Sequence, residues 1–530
     1  MTAWRRLLAP GVTVAALGLA VGGIAAGCGG STASRRSVTV AAAAAAAPQA
    51  EASASVAHVG RVPAGAAVLK IGGAATGRAI PTGFLGLSLE YPAVAAYAGT
   101  NPAAIDPVFL QLIRNLTPGQ ASVLRIGGDS TDWTWWPVPG MRSPAGVDYT
   151  LSSHQVEVLH ALAETLGARM ILGINLEADS SPLAVAEATA LVGGVGRDQV
   201  EGLELGNEPE LYAVFDWDGS GRKGRARGYD FSDFNRDVTR IGGALTMAPL
   251  AGPAIGAPGW FPNLGRFLSS HPRVVVATLH RYPLQLCYVH PRQPNYPTIT
   301  HLLSAGASQG LADSVAADVK VAHAHGIPLR IDEMNTISCG DDPAVSKSFA
   351  SALWALDALF EMARVGVDGV NIHSYPGATY ELFRFSRANG SWRADVEPEY
   401  YGLLMFAQAA PPGSRLENVS EADEGEVKAW ATRAADGTLR VVAINDGAGA
   451  RTIAVRASFA SGVATLERLQ APRLSSRGGV TLGGQSFGSS TSTGVLAGQQ
   501  RVLPVRSQAG EYVFRLPAGS AAMLTVPAAP

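Results

Sequence analysis

The sequence predicts an α/β chain, a (β/α)8 TIM barrel with a C-terminal β-sandwich domain, and three observations predict it. Eight short apolar runs alternate with amphipathic helical stretches over residues 84–410. The runs are nearly continuous in apolar residues, as expected of strands covered on both faces. From about residue 411 the pattern changes to alternating strands separated by Gly- and Ser-rich turns. Composition agrees. Over 530 residues, 47% hydrophobic and 16% charged exclude disorder along most of the length. With 41 Lys and Arg against 43 Asp and Glu, the net charge of −2 gives no general attraction for nucleic acid.

Taken in order, the chain opens with an export signal over residues 1–28. Arg5 and Arg6 precede an uncharged run from Leu7 to Gly27, which ends in Ala25-Ala26-Gly27-Cys28. Small residues before a cysteine resemble a bacterial lipoprotein cleavage site. Lipidation of Cys28 therefore stands beside ordinary cleavage nearby and an uncleaved membrane anchor. Each alternative places the rest outside the cytoplasm, extracellular or on the cell surface, with membrane contact only through this N-terminus. Residues 29–65 read as a tether, since seven consecutive Ala from Ala41 and a polar flank show no pattern that needs a packing partner.

The barrel is expected over residues 66–410, with 66–80 a strand-like stretch that either opens it or joins the β domain. Its strands fall at 84–90, 122–128, 169–176, 200–208, 250–256, 274–282, 328–335 and 367–374. The helical stretches are 106–116, 153–166, 183–192, 232–245, 263–270, 313–325, 344–364 and 400–409. A doubly wound open sheet is the alternative, but no Gly-x-Gly-x-x-Gly follows an early strand to support it. The sandwich, residues 411–530, carries strands at 427–432, 439–445, 452–457, 464–469, 511–516 and 521–526, and Asp436-Gly437 is placed for a hairpin turn.

In such a barrel, chemistry sits at the C-terminal ends of the strands. The fourth strand ends Leu205-Gly206-Asn207-Glu208-Pro209 and the seventh Ile331-Asp332-Glu333-Met334-Asn335, so each brings a carboxylate to one mouth. Two carboxylates facing one opening are what glycosidic bond cleavage needs: one protonates the leaving oxygen, the other attacks or activates water. A lone strand-end Glu is more often a salt-bridged rim residue. The second carboxylate at the same mouth tips the reading to function.

Six ordered blocks stand out: Phe84-Leu-Gly-Leu-Ser-Leu-Glu90, Leu124-Arg-Ile-Gly-Gly-Asp-Ser130, Glu204-Leu-Gly-Asn-Glu-Pro209, His280-Arg-Tyr-Pro283, Asp332-Glu-Met-Asn335, and Ala352-Leu-Trp-Ala-Leu-Asp357 with Gly369-Val-Asn-Ile-His373. Together they are similar to glycoside hydrolase family 79, the β-glucuronidase and heparanase-like group of clan A retaining glycosidases. The resemblance implies Glu208 as acid/base and Glu333 as nucleophile. Asn207 would bond the sugar 2-hydroxyl, while Glu90 and Asp129 would hold hydroxyls of the innermost sugar. Arg125 would orient the nucleophile and Tyr282 bond its oxygen. His373 and Tyr380 fall where bacterial β-glucuronidases grip the uronic carboxylate, although Thr379 replaces the Gly found there. Each also has a structural reading, from a buried ion pair at Arg125 to plain packing at Tyr282.

Cys287 and Cys339 follow the sixth and seventh strands, and in an oxidising compartment a disulfide between them is expected, the alternative being two separate thiols. Trp133, Trp135 and Trp136 either stack on sugar or plug the rim. Arg222, Lys223, Arg225 and Arg227 form a solvated loop or a lure for an anionic glycan. No metal ligand set and no organic cofactor are implied. The expected partner is a carbohydrate substrate, and the family resemblance implies a uronic-acid-containing one. A neutral-sugar β-glycosidase and a non-catalytic glycan-binding surface lipoprotein are the alternatives.

Overall fold

In the computed structural model, the described residues are 65–340, 342–421, 427–457, 462–508 and 510–528. The export signal, Cys28 and the tether lie outside them. No helix among the described residues is long and apolar enough to cross a membrane.

Eight parallel strands close into a barrel: Leu85–Leu89, Val123–Ile126, Arg169–Ile174, Val200–Leu205, Leu250–Ile255, Val274–Arg281, Leu329–Met334 and Gly369–Ser374. Val370 beside Leu85 closes the ring. The fourth strand stops at Leu205 rather than continuing to Glu208. Gly206 takes φ +74° there, with the Tyr212 hydroxyl only 2.1 Å from where its Cβ would stand. The chain therefore leaves the ladder at a position open to glycine alone.

Some helices are capped by side chains. Ser152 and Gln155 make a capping box for Ser153–Leu166, which ends on left-handed Gly167. Three expected helices are broken, one of them 344–364, which divides into Pro343–Ser346 and Phe349–Val365. The stretch 313–325 divides into Gln309–Asp313 and Ala316–Ala324, with the Ser314 hydroxyl donating to Leu311 O over 2.6 Å. The stretch 232–245 runs as Phe231–Asp237 and then a wider π turn, Val238–Gly242.

The strand Ala67–Ala79 belongs to the C-terminal sheet, antiparallel to Arg415–Glu421 and parallel to Arg451–Ala457. That sheet has ten strands, nine in one continuous ladder and Leu503–Arg506 branching from Val463–Gln470. Leu69, Ile453 and Phe514 on one arm and Leu466 and Leu524 on the other share one buried cluster, so the ladder curls to enclose its own core as a sandwich does. Its other face packs on the barrel. The Trp430 ring stacks on Phe360 of the helix Phe349–Val365 at 5.4 Å, and its indole N–H donates to Asp357 Oδ1 over 2.9 Å.

Candidate active site

Glu208 and Glu333 meet at the C-terminal mouth of the barrel. Glu208 lies three residues past the fourth strand in left-handed backbone (φ 47°, ψ 57°), its N–H bonded to Ala254 O at 2.9 Å. Glu333 is within the seventh strand, at a register irregularity after Ile331 against both neighbouring strands. One carboxylate oxygen from each, with one nitrogen of His280, all lie within 4.8 Å of one another. So close an approach of one oxygen from each accords with the carboxyl pairs that attack the anomeric carbon directly, about 5–5.5 Å apart, better than with the pairs about 6.5–9.5 Å apart that hold a water between them.

Glu333 is held on both oxygens. Arg125 Nη1 donates to Oε2 over 2.6 Å and the Tyr282 hydroxyl to Oε1 over 2.9 Å. Burial alone would push its pKa up, but the charges of His373, His280 and Arg125 and the Tyr282 hydrogen bond together drive it well below the usual carboxylate range. The group is therefore an anion at any physiological pH, as a nucleophile must be.

Arg125 is fully buried and forks three ways. Nε bonds Glu204 Oε2 at 2.8 Å, Nη1 bonds Glu333, and Nη2 bonds Asn207 Oδ1 at 2.8 Å. Asn207 Nδ2 in turn donates to Asp129 Oδ1 over 3.1 Å. Glu90 accepts from the N–H groups of Asp129 (3.2 Å) and Ser130 (2.8 Å), and a Cβ on Gly128 would collide with its carboxylate. Both nitrogens of His373 are engaged, Nδ1 with Ser88 Oγ at 2.9 Å and Nε2 with Glu90 Oε1 at 3.4 Å. His373 is thus placed beside Glu90 at the mouth. Tyr380 stands beside Tyr282 with ring centroids 5.9 Å apart, and the hydroxyls of Tyr282, Tyr380 and Tyr375 form a hydrogen-bonded chain.

Four residues of this network were not singled out from sequence. Asp132 Oδ2 accepts from Asn207 N (2.9 Å) and the Tyr212 hydroxyl (2.7 Å), while Oδ1 holds Leu176 N and Glu177 N. His280 sits between Glu208, 3.1 Å from Nδ1, and Asp332, 3.6 Å from Nε2. Burial lowers its pKa, but Glu333, Asp332 and the Glu208 hydrogen bond outweigh that and raise it to about 10. Glu204 and Asp332 face each other beneath the mouth. Burial pushes the Asp332 pKa well up, whereas the adjacent Arg125 charge overcomes burial to hold Glu204 low, so Asp332 carries the proton of the pair. The available signal was a charged residue at alternate positions of an otherwise apolar strand, which burial obliges to find a partner.

Two triads, Glu208 with His280 and Glu333, and Glu204 with His280 and Asp332, have metal-like spacing. A protonated His280 and the Arg125 guanidinium already supply positive charge to both, so this donor set fits a proton network better than a cation cage.

Cys287 and Cys339 are disulfide-bonded, with Cα atoms 5.5 Å apart, joining the loops after strands six and seven. Trp135 is buried and donates to Thr150 Oγ1 over 3.1 Å, while Trp136 packs on the main core. Of the four loop cations, Arg225 is committed to Asp237 and to the carbonyls of Leu176 and Glu177. Lys223 bonds Val214 O and Asp216.

Residues 429–523 match the glycosyl hydrolase family 79 C-terminal beta domain. Among solved structures, a 4-O-α-L-rhamnosyl-β-D-glucuronidase from Fusarium oxysporum 12S aligns with TM-score 0.67 at 18% identity, covering 86% of this chain and all of its own. A family 51 arabinofuranosidase from Xanthomonas axonopodis pv. citri aligns with TM-score 0.58 at 15% identity (87% and 99% covered). A family 51 α-L-arabinofuranosidase from Bifidobacterium longum aligns with TM-score 0.59 at 14% identity (87% and 99%). No curated protein matches the chain. The structural likenesses show the fold.

Proposed function

From a chain whose C-terminal domain is that of glycosyl hydrolase family 79, we propose a retaining β-glycosidase of β-glucuronidase type, acting on uronic-acid-containing glycans or glycosides. The observation that carries this reading is the pair of carboxylates, Glu208 and Glu333, within 4.8 Å at one barrel mouth. The anionic Glu333 attacks the anomeric carbon while Glu208 gives a proton to the departing oxygen. A glycosyl ester on Glu333 results. Glu208 then takes a proton from water, which attacks the same carbon and frees Glu333. Arg125 and Tyr282 fix the aim of the nucleophile, and Glu90, Asp129 and Asn207 offer acceptors and donors for ring hydroxyls. Tyr380, adjoining Tyr282 on the eighth-strand loop, is the group proposed to meet the uronic carboxylate.

The uronate assignment also draws on the aligned glucuronidase structure. Export, and anchoring through Cys28, remain part of the proposal. Turnover of an aryl β-glucuronide compared with the matching aryl β-glucoside tests the sugar, and preference for the neutral sugar defeats the uronate claim. Mass labelling of Glu333 by a trapped 2-fluoro glycoside tests the mechanism, and its absence defeats the covalent route.

A further inference from the structure

Seven large hydrophobic side chains are exposed among the described residues, and three of them gather on the barrel rim: Val214 (48% exposed), Phe215 (41%) and Tyr288 (63%). The Phe215 and Tyr288 rings lie 6.5 Å apart, tilted by 40°. Phe215 is on the loop after the fourth strand and Tyr288 on the loop after the sixth. The pair therefore spans the position of the fifth strand, whose Ala254 O fixes the Glu208 backbone. Two successive turns connect this rim to Glu208: Leu211 N bonds Glu208 O at 2.8 Å, and Phe215 N bonds Leu211 O at 3.0 Å. The first turn brings the chain back within about 7 Å.

Both rings are mounted on braced loops. Trp217 donates to Asp132 O over 2.8 Å, and its ring covers Gly146 so closely that a Cβ there would overlap it. Lys223 ties Val214 O at 2.7 Å and Asp216 at 2.8 Å. Tyr288 directly follows the disulfide-bonded Cys287. Apolar rings on a free loop can fold away from water, whereas these are held out in it. A rigid aromatic surface offers a large contact area at little conformational cost.

We propose that Phe215 and Tyr288 form a stacking platform for a sugar ring of the leaving group, beyond the scissile bond. The inference rests on Glu208 being the acid, because the leaving group must then depart on its side, and the loop that carries Phe215 runs on directly from Glu208. The enzyme is accordingly built for oligosaccharides rather than simple glycosides.

The test compares kcat/KM for a trisaccharide ending in β-linked glucuronate with that for methyl β-glucuronide, whose leaving group has no ring. The Phe215→Ala/Tyr288→Ala double variant should lower the trisaccharide-to-methyl ratio by about tenfold, and Phe215→Tyr with Tyr288→Phe should restore it. A ratio within twofold of wild type overturns the platform. Wild-type preference for glucuronide over glucoside reads the sugar assignment separately. The ratio is measured in whichever sugar series is cleaved, so a wrong sugar leaves the platform testable. Turnover of neither series overturns both.

Discussion

Replacing Tyr282 by Phe removes one hydroxyl and keeps the ring, so the perturbation is confined to the bond donated to Glu333 Oε1 over 2.9 Å and to the link with Tyr380. A hydrogen bond to a charged group contributes about 1.5–3 kcal/mol. With about 1.36 kcal/mol per pH unit, the pH at which Glu333 protonates should climb by about 1–2 units. The direction follows from the sign of the interaction. The hydroxyl favours the anion, so its loss makes the carboxylate easier to protonate, and the acid limb of kcat/KM moves to higher pH. His373, His280 and Arg125 still oppose the effect of burial, so Glu333 remains ionised at neutral pH. The loss there is one of aim. Arg125 Nη1 keeps Oε2 while Oε1 becomes free to rotate, and kcat should fall about 10- to 100-fold. The assay is a pH–rate profile on an aryl β-glucuronide for Tyr282→Phe and wild type, with thermal unfolding as the control for folding. An unmoved acid limb together with kcat within twofold would refute the assignment of Glu333 as a nucleophile positioned by Tyr282.

With an activated aryl leaving group, Glu208→Gln should release a burst of the aryl alcohol and then turn over at least about 100-fold more slowly, whereas Glu333→Gln should give no burst. Bursts of equal size in stopped-flow would contradict this division of roles. Opening the Cys287–Cys339 disulfide by Cys287→Ser with Cys339→Ser frees a loop defined by a 52-residue separation. The unfolding free energy should drop by up to about 4 kcal/mol, read from urea titration, and no drop would show that the loops are held by other contacts. Glu399 is buried with neither carboxyl oxygen hydrogen-bonded among the described residues, and burial pushes its pKa well up. The unfolded chain loses this proton near about pH 4.3 while the folded chain keeps it, so stability falls as pH rises toward the folded value. Glu399→Gln should flatten that decline and raise the melting temperature at mildly alkaline pH more than at mildly acidic pH. Parallel curves for variant and wild type would count against a protonated Glu399.

The barrel was legible because each of its strands is an apolar run bounded by turn residues, and a strand covered on both faces leaves little room for another pattern. Glu208 and Glu333 could be read because strand ends are where such a barrel exposes chemistry. Local backbone detail was not legible. The end of the fourth strand is set by Gly206 meeting Tyr212 six residues later in the chain, a contact that periodicity does not encode. The break at Ser314, whose hydroxyl bonds Leu311 O, is likewise not forecast by helical spacing. Asp132, His280, Glu204 and Asp332 were given no role from sequence because each matters through a partner far away in the chain. Glu204 and Asp332, for instance, become a proton-sharing pair only when strands four and seven face each other across the lumen. The engagement of His373 with Ser88 and Glu90 likewise needs the first and eighth strands side by side.

The strand Ala67–Ala79 lies between two strands made more than 300 residues later, Arg415–Glu421 and Arg451–Ala457. During synthesis it leaves the ribosome first among the described elements and must wait, with both edges unpaired, until the entire barrel has emerged. The terminal sheet thus acts as a clasp that fastens only after the barrel is made. A product truncated before Arg415 leaves both edges of that early segment exposed, as a signal of incompleteness written into the topology.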